Sequence, residues 1–386
     1  MKTYEQTHPW LKFAVDLTRA RPQLWLALGE AQSKCAHVAG TPLAPELAKE
    51  LHAVYLAKGL MATTAIEGNT LSEEQVRQRV EGNLKLPSSL EYQGREIDNV
   101  LAAVNLVGKQ VLETGESDIR VGDLYEFNRL VLEGLALEDG AVPGEIPTFN
   151  VTVGRYRGAP RQDCAYLLER LCAWLNSDTF APTPGNEVVY AIVKSVLAHL
   201  YFAWIHPFGD GNGRTARLLE FKILLAAGVP SASAHLLSNH YNATRARYYR
   251  ELDLASRSGG DVLPFLEYAV TGFVEALRTQ IEQIRQQQWR DSWTNFVHDF
   301  FRDEPAKSAR RQRDLLLDLS DQPAPVPRGK LLGISARVAT SYAGLSDRTL
   351  ARDLLELTEN DLVELSPDGY VARRSLILAF LPKRVG

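Results

Sequence analysis

The sequence holds only three cysteines in 386 residues, Cys35, Cys164 and Cys172. They are odd in number and lack metal-ligand spacing, which excludes a disulfide framework and fits a reducing compartment. An excess of one charge is also missing, since 43 Lys and Arg stand against 47 Asp and Glu, a formal net charge of −4. That balance argues against a nucleic-acid coat or a polybasic membrane binder, while leaving room for a local basic patch. The N-terminus, MKTYEQTHPWLK, has no apolar stretch of signal-peptide type. No segment reads as the roughly eighteen apolar residues of a membrane span, so the expectation is a cytoplasmic protein without membrane contact. Internal repeats and low-complexity tracts are absent, and so are the clustered His and Asp ligands of a metallohydrolase.

What is present is helix. Apolar residues make up 45% and charged residues 23%, ordinary for a globular chain, and the length predicts two or three domains. The expected fold is mainly α, divided into an N-terminal helical region (1–95), a helical core (96–290) and a C-terminal module (305–386). Leu47, Leu51, Val54, Tyr55 and Leu60 recur near helical spacing, and Gly68–Asn69 supplies a stop. Ser72 followed by Gln75 predicts a capping box opening the next helix. Further helices are expected over Glu96–Leu112, Val121–Glu133, Gln162–Ser177, Glu187–Trp204, Asn212–Ala227, Tyr248–Ala255 and Asp261–Gln288, the last with QIEQIRQQQWR as its exposed polar end. One stretch, Pro143–Gly154, alternates as a strand or hairpin does, with Phe149, Val151 and Val153 between polar residues.

The chemical centre is HPFGDGNGRTAR, His206 to Arg217. Gly209, Gly211 and Gly213 alternate in a loop leading into a helix, where backbone N–H groups converge and the helix dipole favours an anion. Arg214 and Arg217, three apart, occupy one face of that helix, and two guanidinium groups above an anion loop suit a polyphosphate. Asp210 amid this positive potential calls for a cation, and Mg²⁺ bridging phosphates answers that. His206 at the mouth of the loop is a candidate general base. The loop is neither a dinucleotide fingerprint, because a helix precedes it, nor a Walker A loop, because no Gly-Lys-Ser/Thr follows.

This segment resembles the signature of Fic proteins, H-P-F-x-D/E-G-N-G-R-x-x-R, with every fixed position filled, and the resemblance extends more loosely over residues 45 to 280. It implies a Fic-type helical core with a β-hairpin flap that binds ATP with Mg²⁺ and transfers AMP to Ser, Thr or Tyr hydroxyls of a target protein or of the chain itself. It further implies that His206 takes the hydroxyl proton and that Asp210 helps hold Mg²⁺. Gly211, Asn212 and Gly213 would cradle the phosphates, while Arg214 and Arg217 neutralise the outer two. Phe208 would bury itself to brace the loop. Glycine at 213, where phosphorylating relatives carry Lys, favours nucleotidyl transfer.

TTAIEGN, Thr63 to Asn69, resembles the inhibitory motif S/T-x-x-x-E-G/N of the same family. Glu67 would pair with Arg217, occupy the γ-phosphate position and brake the enzyme. The Pro143–Gly154 hairpin, with Val151, Thr152, Val153 and Gly154, becomes by resemblance the flap that docks a target strand. Tyr248 and Tyr249 match a pair near the adenine, whereas Ser256 replaces an asparagine of relatives.

Beyond residue 305 a helix at Leu315–Leu319, two more at Ile334–Ala343 and Ser346–Glu359, and a hairpin over Leu362–Arg373 give the order of a winged helix. Thirteen Lys and Arg against ten Asp and Glu make it mildly basic, with Arg348 and Arg352 on the third helix. Asp347, Asp353 and Glu356 on that helix favour a protein-contact or homodimer module over DNA binding. Two rival functions remain open. One is a Fic enzyme that removes AMP from a modified target. The other is a DNA-binding regulator whose core senses nucleotide.

Overall fold

The computed structural model describes residues 2–43, 45–137, 140–304 and 306–378. The expected outer bounds of the C-terminal module, Pro305 and 379–386, lie outside them. The chain divides after Ile281 into two compact units, and both are built almost wholly of helix.

The first unit opens with α1 (Tyr4–Thr7), α2 (Pro22–Gly40) and α3 (Pro45–Ala65). Pro22 sits in the first turn of α2, where its missing N–H costs nothing. The capping box is present: Ser72 accepts the Gln75 amide and the Gln75 side chain accepts the Ser72 amide, starting α4 (Glu73–Val80). Next come α5 (Glu91–Thr114), closed by left-handed Gly115, and α6 (Val121–Val131). The hairpin β1 (Thr152–Val153) and β2 (Tyr156–Arg157) leads to α7 (Arg161–Leu175), α8 (Glu187–Ile205) and α9 (Asn212–Ala226). Two short helices, α10 (Ser231–Ala234) and α11 (Leu236–Ala243), precede α12 (Arg245–Arg257) and α13 (Leu263–Phe300).

The axis of this unit is α8, packed against α2, α7 and α9. It is buried on nearly every side, which explains why its sequence shows no amphipathic period. The expectation that no segment has the make-up of a membrane span is corrected here. Glu187–Ile205 is long and apolar enough to cross a bilayer by length and composition, with 78% of that stretch buried inside the fold. Residues of the N-terminal region, among them Leu28, Leu60 and Ile66, share one hydrophobic core with α8 and α9.

Three further expectations change. The hairpin is not Pro143–Gly154; its strands are Thr152–Val153 and Tyr156–Arg157, and Gly154 (φ +57°) is the turn. Pro143, Gly144 and Pro147 break the earlier part into turns, so the alternation of Phe149, Val151 and Val153 does not make a ladder. QIEQIRQQQWR is not the exposed polar end of the helix, because α13 runs on to Phe300 and its apolar residues resume at Trp293 and Val297. The helix expected at Leu315–Leu319 spans Lys307–Ser320, its first turns being polar and basic.

The second unit, from Glu282, gathers Trp293 and Val297 of α13 and Phe301 just beyond its end into its own core. They join α14 (Lys307–Ser320), α15 (Ala336–Ser341), α16 (Asp347–Glu359) and an antiparallel hairpin, β3 (Val363–Ser366) with β4 (Gly369–Ala372). Asp353 of α16 is fully buried and takes Arg311, Gln312 and the Tyr342 hydroxyl, so it faces the unit's interior.

Two histidines packed against aromatic rings, His235 buried and His240 partly so, set an acid limit on stability. Burial pushes His235, stacked on Phe221, and His240, beside Tyr268, from 6.5 down to about 4. The unfolded chain therefore takes up these protons near pH 6.5 and the folded chain near pH 4, so stability is full above 6.5 and falls as pH drops through that window. At pH 5 the loss at His235 amounts to about 2 kcal/mol, with less from the more open His240. Urea midpoints should be flat between pH 7 and 8 and lower at pH 5; a midpoint unchanged at pH 5 would refute this.

Candidate functional site

The loop between α8 and α9 is fixed before any ligand arrives. His206 caps α8 in the left-handed conformation (φ 49°, ψ 58°), and Pro207 prevents the helix from continuing. Phe208 is fully buried behind the loop, as expected. Asn212, expected to cradle phosphate, borders the cavity, and its side chain staples the loop, donating to the Phe208 carbonyl (2.7 Å) and accepting the Phe208 amide (3.0 Å). Gly211 turns the chain at φ +74° into α9.

The loop's carbonyls are held from behind. Asn128 of α6 donates to the Asp210 carbonyl (2.8 Å) and Thr215 Oγ1 to the Gly211 carbonyl (2.8 Å). With those negative ends occupied, the first amides of α9 present a positive end to a cavity of about 480 Å³ that Asn212 and Gly213 border. Asn128 was not singled out from sequence; it sits 82 residues from its partner, and nothing local marks it.

The two arginines divide. Arg217 faces the cavity, while Arg214 turns to Glu96 (2.9 Å) and Asp210 (3.1 Å) and does not line it. The expectation of two guanidinium forks side by side over the phosphates is thus corrected. Arg214 is held between two carboxylates, one of them buried, and pairs with the loop's Asp210. Burial pushes the Glu96 carboxyl up against the opposing pull of Arg214, and Asn69 Nδ2 donates to its second oxygen (2.9 Å).

Glu67 lies in the turn just after α3, where Gly68 (φ +109°) reverses the chain. Its Oε1 accepts from Arg217 Nη2 at 2.5 Å, and the same Nη2 donates to the Thr63 carbonyl at 2.9 Å. Arg217 is buried, and its Nε and Nη1 have no hydrogen-bond partner among the described residues. A Cβ on Gly213 would stand 2.1 Å from Glu67 Oε1 and 3.1 Å from Arg217 Nη1. Only glycine leaves room for the carboxylate against the start of α9. Burial pushes the Glu67 carboxyl up, but Arg217, with help from Arg214 and His206, holds it below the ordinary range.

His206 is half-buried in the same cavity, and its Nδ1 donates to the Ala203 carbonyl (3.3 Å), which leaves Nε2 free to accept. Burial lowers its pKa from 6.5, against the opposing effects of that carbonyl, Glu67 and Asp210. Of the flap, Val153 and Gly154 line the cavity, and Val151 and Thr152 stand back from it. The flap's second strand is tied down by His8, whose Nε2 donates to the Arg157 carbonyl at 2.9 Å, and by Tyr156, whose hydroxyl donates to the Trp204 carbonyl at 2.7 Å. Tyr248 is buried and hydrogen-bonded to His199, whereas Tyr249 is exposed and donates to the Ile66 carbonyl (3.3 Å) at the edge of the Glu67 turn. Asp253 and Arg257 add a charged rim that sequence reading passed over.

Chemically this is an anion cradle with a base beside it and a carboxylate inside it. Among the described residues no three His, Cys, Asp or Glu side chains gather to hold a metal by themselves.

Residues 118–224 match the Fic/DOC family. The chain is 30% identical over 229 residues to the protein adenylyltransferase fic-1 of Caenorhabditis elegans, covering 58% of this chain and 42% of that protein. It is 30% identical over 206 residues to the protein adenylyltransferase Fic of Drosophila melanogaster, covering 53% and 38%. The matched region thus spans about two fifths of these curated relatives. Among solved structures, a Fic family protein from Desulfovibrio desulfuricans G20 superposes with a TM-score of 0.55 at 22% identity, covering 94% of this chain and 98% of that one. A Fic-1 structure from C. elegans does so with a TM-score of 0.56 at 25% identity, covering 68% and 73%.

Proposed function

We propose that this chain, which carries a Fic/DOC-family domain at residues 118–224, is a nucleotidyltransferase that moves AMP from ATP onto a protein hydroxyl and is restrained by its own Glu67. One observation carries the reading: Arg217, the start of α9 and His206 converge on a single cavity, and Glu67 sits where an anionic phosphate would.

In this reading Arg217 and the α9 amides receive the outer phosphates. His206 takes the proton of the incoming hydroxyl on Nε2. The hydroxyl oxygen bonds to the α-phosphorus, the bond from that phosphorus to the bridging oxygen breaks, and pyrophosphate leaves. The work is positioning and charge stabilisation. Mg²⁺ travelling with the phosphates needs one or two carboxylates from the protein. Asp210 fits that need, being fixed by Arg214 while 41% of its side chain stays exposed. The cation would neutralise phosphate charge there. The exposed β1 strand, Thr152–Val153, offers a free edge on which a target segment adds as a further strand, bringing its hydroxyl toward His206. Ser, Thr and Tyr hydroxyls all satisfy this chemistry, on a partner or on the chain itself.

The test is to supply ATP labelled at either the α- or the γ-phosphate together with Mg²⁺ and a cell lysate. Protein should become covalently labelled from the α-position only, and chelation of the metal should remove the signal. Label from the γ-position would make the enzyme a phosphotransferase and overturn the reading.

A further inference from the structure

Beneath the cavity floor lies a buried polar cluster that the transfer step does not use. Glu220 follows Arg217 by three residues on α9, hence on the same face, and is enclosed. Its Oε1 accepts the Tyr241 hydroxyl at 2.9 Å, and its Oε2 lies 3.2 Å from His199 Nδ1, close but off the line of an ideal hydrogen bond. His199 Nε2 is 2.8 Å from the Tyr248 hydroxyl. His199, Tyr248 and Arg217 all border the cavity.

The order of protons follows from the chemistry. A carboxylate beside Nδ1 favours the tautomer with its proton there, so Nε2 accepts and the Tyr248 hydroxyl donates to it. The Tyr248 oxygen then has only lone pairs left to present to the cavity, which Arg217 also lines. This matters because Arg217 is a buried cation whose direct ion-pair partner is Glu67. When Glu67 withdraws, an uncompensated guanidinium would be unstable in place. Glu220 is a fixed negative group that remains, three residues along α9, and acts electrostatically on Arg217, while the neutral Tyr248 hydroxyl adds the negative end of its dipole to the same cavity.

Resting on the nucleotide-binding reading above, we infer that Glu220, His199 and Tyr248 are positioning residues, a buried line that keeps Arg217 seated as an anion receptor once Glu67 has left. Glu220→Gln offers Nδ1 a donor, reverses the His199 tautomer and turns the Tyr248 hydroxyl proton into the cavity that Arg217 lines. Tyr248→Phe removes the oxygen outright.

The experiment is made in the Glu67→Gly protein, with affinities for ATP, AMP and tripolyphosphate measured by calorimetry. Each substitution should weaken ATP and tripolyphosphate about five- to tenfold and leave AMP within twofold, since the line acts through the outer phosphates. The double variant should be no weaker than the weaker single one, because both cut the same line. Effects that multiply, or an equal loss for AMP, would overturn the inference as general damage to the cavity. Unfolding midpoints identify a variant that fails to fold, and Tyr248→Phe, which leaves the carboxylate in place, then decides alone. Tripolyphosphate needs no transfer chemistry, so a protein that transfers no AMP yet shows this pattern would sink the transferase reading and leave the line standing.

Discussion

Replacing Glu67 by glycine should raise AMP transfer at limiting ATP by about a hundredfold. The Glu67–Arg217 contact is 2.5 Å long and its cationic partner is buried. Such a charge-assisted hydrogen bond contributes about 1.5–3 kcal/mol, which corresponds to roughly ten- to 150-fold in the closed-to-open ratio. The carboxylate also rests against the first turn of α9, where Gly213 has no side chain to exclude it. ATP must therefore displace it from both anion-binding elements at once. Removing the carboxylate frees one N–H of Arg217 Nη2, the other still held by the Thr63 carbonyl, so the gain should appear as a lower KM for ATP as well as a higher rate. Acid should not imitate the substitution. Burial raises the Glu67 carboxyl, but Arg217 together with Arg214 and His206 outweighs it and holds the carboxyl below its ordinary range, so the pair persists at pH 5. Initial rates of labelling for both proteins, taken at pH 5.5 and 7.5, check this. Equal rates for a folded Glu67→Gly protein would remove the brake from the account.

Much of this site was legible because its residues are consecutive. Twelve positions, His206 to Arg217, carry a base, a glycine turn and two arginines, and a helix start places them in one small volume. What could not be read was which arginine serves the cavity. Arg214 and Arg217 are alike in the sequence, and the difference lies in Glu96, 118 residues upstream of Arg214, which claims one of them. Asn212 likewise reads as a ligand, yet a side chain with one donor and one acceptor within reach of Phe208's own backbone is used to lock the turn. The hairpin was misplaced by a few residues because alternation over Phe149–Val153 resembles a strand, whereas pairing is set by the turn at Gly154. α13 was cut short for the opposite reason. Its polar middle faces solvent, and the apolar residues that continue it belong to a different core.

Replacing His206 by alanine should lower transfer by about a thousandfold, the usual scale of a positioned general base, and leave the ATP dissociation constant within twofold. In the proposed function Arg217 and the amides of α9, not the imidazole, receive the nucleotide's charge. The pH dependence identifies the group. Burial is the main influence on His206 and lowers its pKa from 6.5, so the free enzyme keeps a neutral base below that value. The acid limb of kcat/KM should accordingly fall below pH 6.5. Glu67 is one of the influences that raise it, so the limb should move lower still in the Glu67→Gly protein. Bound phosphates restore negative charge beside the ring, which places the limb of kcat, a property of the loaded enzyme, above that of kcat/KM. Three positions are thus ordered in advance: kcat/KM of Glu67→Gly lowest, kcat/KM of the native chain above it, and kcat of either protein above its own kcat/KM. A limb at or above 6.5 in kcat/KM, or a His206→Ala protein that keeps a tenth of native activity, would assign the proton to another group.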